Sequence, residues 1–228
     1  MEQPTIVFCV PGKTFSRNFL ISWTALFAHL KNLGYKPVLS SQYSPVVYWS
    51  RSSCLGGDVL KGKNQKPWQG KLKYDYIMWI DSDMVFQIDD FTRMLDKMQH
   101  LPEVQVLAGP YLMEDRVHTT VVKNWDEAYF QKHGTFQFLK ISDLQIQSYE
   151  VKNPLIKVDY TGMGWMLMKK GVIEQLEYPW FKPHFHNIGN AYDFSSEDVG
   201  FCHDLKEKNI DIWVDTTIKV GHEKQIIV

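Results

Sequence analysis

Asp81 and Asp83 flank one serine in the stretch YIMWIDSDMVF, residues 76–86. Burying an unpaired carboxylate is costly. Two of them after five residues suited to a buried strand stand at the strand's open end, pair with cations, or hold a metal. With Ser82 turned away, both carboxylates can face a hard divalent cation. Such a cation can bridge the phosphates of a nucleotide and neutralise charge on a leaving diphosphate. Asp-x-Asp alone is a weak signal, and a paired structural acid is the competing reading.

Other groups could complete this chemistry. His222 lies in VGHEK. A neutral imidazole is a good transition-metal ligand, and Mn²⁺ accepts both imidazole and carboxylate. Lys224 is a point charge suited to phosphate, although both residues are also ordinary on a surface. In SSED, residues 195–198, Ser195 and Asp198 make a Ser-x-x-Asp helix cap. Alternatively, Glu197 or Asp198 is a general base for a hydroxyl nucleophile. Gly162, Met163 and Gly164 allow close backbone approach by a ligand, or make a tight turn. Arg51 could bind a phosphate or a base; the alternative is a solvated helix-face arginine.

The elements that would position these residues alternate in the first half. TIVFCV, residues 5–10, reads as a buried strand. A helix follows, with Phe19, Leu20, Trp23, Leu26, Phe27, Leu30 and Leu33 on one face and Gly34 as its stop. Residues 36–41 make a second strand, and Ser50 caps a helix through Leu60. A basic loop covers 61–73, the quoted strand comes next, Asp89 or Asp90 caps a helix to His100, and a strand starts at Val104. This βα alternation predicts an α/β fold with an open, mostly parallel sheet and ligands at the strands' carboxyl ends. Pro11 and Asp81 fall at such ends.

The second half reads as short strands within 118–160, including the alternation LQIQSYEV at 144–151. An apolar run to Met168, a helix near 170–177, an aromatic loop at 178–194 and a helix at about 196–208 follow. IDIWVD and the strand-like TTIKV come last. With no repeat or linker, one domain spanning 1–228 is the simplest organisation.

The net charge of -1 among 228 residues argues against a general nucleic-acid binder. The three cysteines, Cys9, Cys54 and Cys202, are far apart, with no CxxC. They suit a reducing compartment, not a disulfide framework. Neither a signal peptide nor a membrane span is legible. The expectation is a soluble cytoplasmic protein.

In their order along the chain, these pieces resemble a GT-A-fold glycosyltransferase of the DxD type that uses nucleotide-sugar donors. They are the N-terminal βαβ, the arginine of SRSSCL, the DSD, VDYTGMGWMLMKK, SSEDVGFCHDLKEKNIDIWVD and the late VGHEK. The resemblance is to the small soluble bacterial and viral members and covers nearly the whole chain. It implies a Rossmann-like donor-binding region over about 1–115, a mixed central sheet, and an acceptor-side region over about 116–228. It also implies Mn²⁺ (or Mg²⁺) on Asp83 and His222 with Asp81 near, and Lys224 on the diphosphate. Val10, Pro11 and Arg51 would line the nucleoside pocket, with Asp81, Ser82 and Asp83 as its motif. Gly162, Met163 and Gly164 would face donor sugar and acceptor. Asp198 of the Glu197–Asp198 pair would be the base in an inverting enzyme. The donor would be a UDP-sugar and the acceptor a glycan or glycoconjugate. Within that frame Trp68 becomes a stacking surface on a mobile lid, against the alternative of a solvated loop. Trp180, His184, Phe185 and Tyr192 become acceptor contacts.

Two rivals remain. IDSDMV fits the Asp-x-Asp-x-(Thr/Val) motif of haloacid-dehalogenase-type phosphatases, with Asp81 as nucleophile. That motif normally lies near the start of a chain, and about 80 residues precede it here. A non-catalytic nucleotide- or glycan-binding module would usually have lost one of Asp81, Asp83, Asp198, His222 and Lys224.

Overall fold

The computed structural model describes residues 3–150 and 152–224. Its first half contains β1 (Thr5–Cys9), α1 (Arg17–Asn32), β2 (Lys36–Ser40), α2 (Val47–Cys54) and β3 (Tyr76–Ile80). β4 (Met84–Val85), α3 (Ile88–His100) and β5 (Val106–Ala108) follow. The second half begins with β6 (His118–Val122), α4 (Glu127–His133), β7 (Phe138–Lys140), α5 (Ile141–Glu150), β8 (Leu155–Val158) and β9 (Tyr160–Thr161). It ends with β10 (Trp165–Lys169), the hairpin β11 (Phe185–Ile188) and β12 (Ala191–Phe194), α6 (Glu197–Glu207), β13 (Ile212–Asp215) and β14 (Gly221–His222).

A seven-stranded sheet in the order β2-β1-β3-β10-β5-β13-β8 forms the centre. β1 is parallel to β2 and β3, and β5 is parallel to β13. β10 runs antiparallel between β3 and β5. The sheet is therefore mixed. The chain reaches β10 from β9, over the carboxyl ends of the parallel strands, and can only descend against them. Strand alternation divides the core. Ile6, Phe8, Met78 and Ile80 face the side covered by α1 and α3; Val7, Cys9, Ile77 and Trp79 face the side of α2 and α6.

Several local expectations are corrected. In α1, Phe19, Leu26 and Leu30 are buried, whereas Leu20 and Leu33 are 57% and 56% exposed. The buried stripe is narrower than the apolar face, because Leu20 is one residue off it and Leu33 is the C-cap. α2 starts at Val47, so Ser50 and Arg51 lie inside it; the Ser50 hydroxyl instead accepts from Ser44 N at 2.6 Å. Asp90 caps α3 from its third position by accepting from Gln87 N at 3.0 Å. Residues 141–150 are helical despite their alternation, with Leu144 alone buried; Val151 lies outside the described residues. The helix near 170–177 is only a 3₁₀ turn, Ile173–Gln175, and the aromatic loop contains the β11–β12 hairpin. The strand-like TTIKV leads into β14, which pairs antiparallel with β4.

Candidate active site

β1 and β3 end side by side, and a cleft of about 820 Å³ opens over their carboxyl ends. Pro11 and Gly12 come from the end of β1, and Asp81, Ser82 and Asp83 from the end of β3. Tyr43 and Ser44, following β2, and Arg51 of α2 add a wall. Ser82 packs on Gly12, where a Cβ would stand 2.5 Å from the Ser82 hydroxyl. That close fit requires glycine and fixes the turn carrying the two aspartates.

Asp83 meets the far end of the chain. Its Oδ2 lies 3.0 Å from His222 Nε2 and accepts from Lys224 Nζ at 3.3 Å. The β4–β14 pairing delivers these partners, and Glu223 N donates to the Asp83 carbonyl at 2.8 Å. Burial raises the Asp83 pKa, but the His222 hydrogen bond and the charges of His222 and Lys224 outweigh it, leaving the group below its ordinary value. Among the described residues, no group of three or more His, Cys, Asp or Glu is arranged to hold a metal. A carboxylate and an imidazole 3.0 Å apart still fit Mn²⁺ or Mg²⁺ of the kind that takes few protein ligands and completes its shell with phosphates and water. Asp81, the third expected ligand, is engaged by Arg51.

Arg51 is the buried hub. Its Nη2 donates to Asp81 Oδ1 at 3.2 Å and its Nε to Glu197 Oε1 at 3.0 Å. The guanidinium lies 5.6 Å from the Trp79 ring centroid, within cation–π range. Burial lowers the Arg51 pKa, but Asp81 and Glu197 outweigh it and hold the group above its usual value. Its side chain is only 5% exposed, which excludes the solvated helix-face reading. Burial, with Asp198 alongside, lifts the Glu197 carboxyl above its usual range despite Arg51.

Asp198 is arranged differently. Tyr160 donates to its Oδ2 at 2.8 Å, Val199 N donates to Oδ1 at 2.9 Å, and Ser196 Oγ also donates to Oδ1. Burial, then Asp198 and Tyr111, push the Tyr160 hydroxyl well up, so it stays protonated and remains a donor. The N-cap position expected of Ser195 is held by Ser196, whose hydroxyl makes no cap hydrogen bond and turns to Asp198 instead. Ser195 Oγ accepts from His184 N instead.

Gly162 and Gly164 are close-approach glycines, but the approaching group is Tyr111. A Cβ would lie 2.4 Å from the Tyr111 hydroxyl at Gly162 and 2.8 Å at Gly164. Gly164 N donates to that hydroxyl at 3.1 Å, and Asp81 N donates to the Gly164 carbonyl, also at 3.1 Å. The Tyr111 ring stands edge-on to His222 at 5.3 Å. Tyr111 thus joins the acidic motif to the glycine turn, and nothing in GPYLM advertises that role. Gly162→Ala should displace Tyr111 and lower stability by about 1–3 kcal/mol, as overpacked core sites do. Urea unfolding would measure this, and wild-type stability would contradict it.

Several expected site residues lie elsewhere. Val10 and Met163 are buried in the core, as is Trp180, packed edge-on against Tyr178. Trp68 is no lid residue: its indole donates to the Cys54 carbonyl at 3.1 Å, and Gly56 packs on its backbone. His184 lies 3.0 Å from Asp204. Tyr192 and Phe185 are 74% and 76% exposed on the hairpin.

No family model matches this chain, and no curated protein matches it. Solved structures do. A197 from STIV superposes with a TM-score of 0.54 at 16% identity, over 99% of this chain and 97% of that one. The catalytic domain of Drosophila β1,4-galactosyltransferase 7, in complex with xylobiose, gives 0.51 at 10% identity, over 97% and 71% of the two chains. A variant of the Drosophila galactosyltransferase in complex with manganese, UDP-Gal and xylobiose gives 0.47 at 12% identity, over 97% and 71%. Likeness at these identities is a likeness of fold, and the fold is GT-A.

Proposed function

We propose that this protein is a metal-dependent glycosyltransferase, moving a sugar from a nucleoside-diphosphate donor, a UDP-sugar by preference, to an acceptor hydroxyl. The observation that carries the reading is the meeting of Asp83 with His222 and Lys224, 139 and 141 residues away, in a cleft over the ends of parallel strands. Such strand ends are where α/β sheets hold ligands.

Asp83 and His222 are the residues to hold Mn²⁺ or Mg²⁺, whose charge would offset that of the leaving diphosphate. Lys224 supplies a second positive charge for a phosphate oxygen. Tyr43, half-exposed on the cleft wall, offers a face for the base. Arg51 holds Asp81 in place on the cleft wall through their ion pair. Glu197 is committed to Arg51, which leaves Asp198 to take the proton from the acceptor hydroxyl. Tyr160 fixes the orientation of its carboxylate. No helix among the described residues is long and apolar enough to cross a membrane.

Calorimetric titration of UDP and GDP, with and without Mn²⁺, tests the donor site. Cation-dependent binding of UDP supports it. No binding of either nucleotide to folded protein sinks it and leads to phosphomonoesterase assays. Asp198→Asn should lower UDP release from a UDP-sugar and acceptor by about 10²–10⁴-fold, the range for a lost general base, with unchanged affinity for UDP. An equal loss of UDP affinity would contradict the base role.

A further inference from the structure

The hairpin β11–β12 presents an aromatic face that the donor site does not use. Phe185 pairs with Phe194, and Asn187 with Tyr192. Opposed residues share a face, so three aromatics and one amide project together. Phe185, Tyr192 and Phe194 are 76%, 74% and 62% exposed. The Phe185 and Tyr192 rings are 20° from parallel with centroids 6.2 Å apart, forming a strip. From below, the hairpin is braced. His186 packs on His203 at 5.2 Å, and His203 stacks on Trp125 at 4.6 Å and 5°.

We propose that this strip binds a carbohydrate chain, so that the acceptor is an oligosaccharide of at least two rings whose non-reacting rings lie along the hairpin. This rests on the transferase reading for the identity of the reacting end. Two observations favour a neutral sugar chain. First, the face is aromatic and amide with no lysine or arginine, whereas a membrane-docking surface carries basic residues beside its aromatics. Flat aromatic faces stack on the C–H surfaces of sugar rings, and Asn187 both donates and accepts hydrogen bonds at their hydroxyls. Second, the strip is continuous with the candidate base. Phe194 and Asp198 are only four positions apart, at most about 13 Å of extended chain. A cavity of about 220 Å³ is lined by Phe194 and by Ser196 and Tyr160, the two side chains that donate to Asp198. A chain on the strip can reach into that cavity and bring a terminal hydroxyl beside the tyrosine and serine that hold the carboxylate.

The test is retention on immobilised linear glucan, xylan, mannan and chitin oligosaccharides of one to six rings, without nucleotide. Wild type should retain at least one series, more strongly at two rings than at one. Phe185→Ala/Tyr192→Ala should weaken that retention on the order of tenfold or more, as loss of aromatic anchors does. Phe185→Tyr/Tyr192→Phe should keep it. Both positions are exposed, so circular dichroism should be unchanged. The UDP titration of the double alanine variant should match wild type, which separates failure of the strip from failure of the donor site. The proposal is overturned if wild type retains no oligosaccharide, or if the double alanine variant retains them equally. It is also overturned if the substitutions instead abolish binding to phosphatidylcholine–phosphatidylserine vesicles.

Discussion

Asp83→Ala should abolish the contribution of Mn²⁺ to UDP binding, a loss of at least about 100-fold in cation affinity, since even outer-shell changes at metal sites cost 10–100-fold. The substitution leaves His222 and Lys224 facing the cleft without their anion. Two freed donors can then meet a diphosphate directly. The variant should therefore bind UDP weakly, without regard to Mn²⁺, and with a steeper salt dependence. Wild type without cation should bind UDP worse than the variant does, because Asp83, held ionised, repels phosphate. Titration calorimetry at two ionic strengths checks both statements. Persistent Mn²⁺ dependence in Asp83→Ala would put the cation on other ligands.

Arg51→Met should lower unfolding free energy by about 3–5 kcal/mol, the usual penalty for removing one partner of a buried ion pair. That is a large fraction of the roughly 5–15 kcal/mol that holds a domain together. The loss comes mainly from Glu197, whose side chain is 9% exposed and would be left as a buried carboxyl with no cation, charged or forced to take up a proton; Asp81, at 28%, can hydrate. The double variant Arg51→Met/Glu197→Met should recover much of the loss, since it buries no lone carboxylate. Urea unfolding of both single variants and the pair gives the coupling energy. A double variant as unstable as Arg51→Met would mean that Arg51 works through its packing on Trp79. Arg51→Lys should not rescue, because one ammonium cannot serve two carboxylates on separate elements from a fixed fork.

Much of the frame was legible from hydrophobic pattern. TIVFC and YIMWI are short, β-branched and aromatic, and both are largely buried strands whose carboxyl ends lead into the cleft. The direction of β10 was not legible in the first-half alternation, since an apolar run reads the same whichever way it enters the sheet. LQIQSYEV alternates like a strand but folds as a helix burying Leu144. Period-2 pattern loses to tertiary context there: the segment packs as a helix beside β7 and β8 instead of extending either sheet. The site divides similarly. Asp83, His222, Arg51 and Asp198 were visible as residue types, while their partners were not. That Arg51 spans Asp81 and Glu197, or that Tyr111 fills the space at Gly162, depends on contacts between distant segments. Trp180 misled because aromatic composition does not say which side of a loop faces the core.

The β4–β14 pairing has a consequence for the lifetime of the protein. It works as a clasp, fastening residue 222 beside residue 83 across 139 positions of sequence, and the unfolded chain holds no such pair. Whatever occupies the clasp therefore binds only the folded form. A ligand present at 100 times its dissociation constant adds about 2.7 kcal/mol of stability. Susceptibility to proteases follows the population of opened chain. The concentrations of cation and nucleotide around the protein would then set how much of it survives, as well as how fast it works.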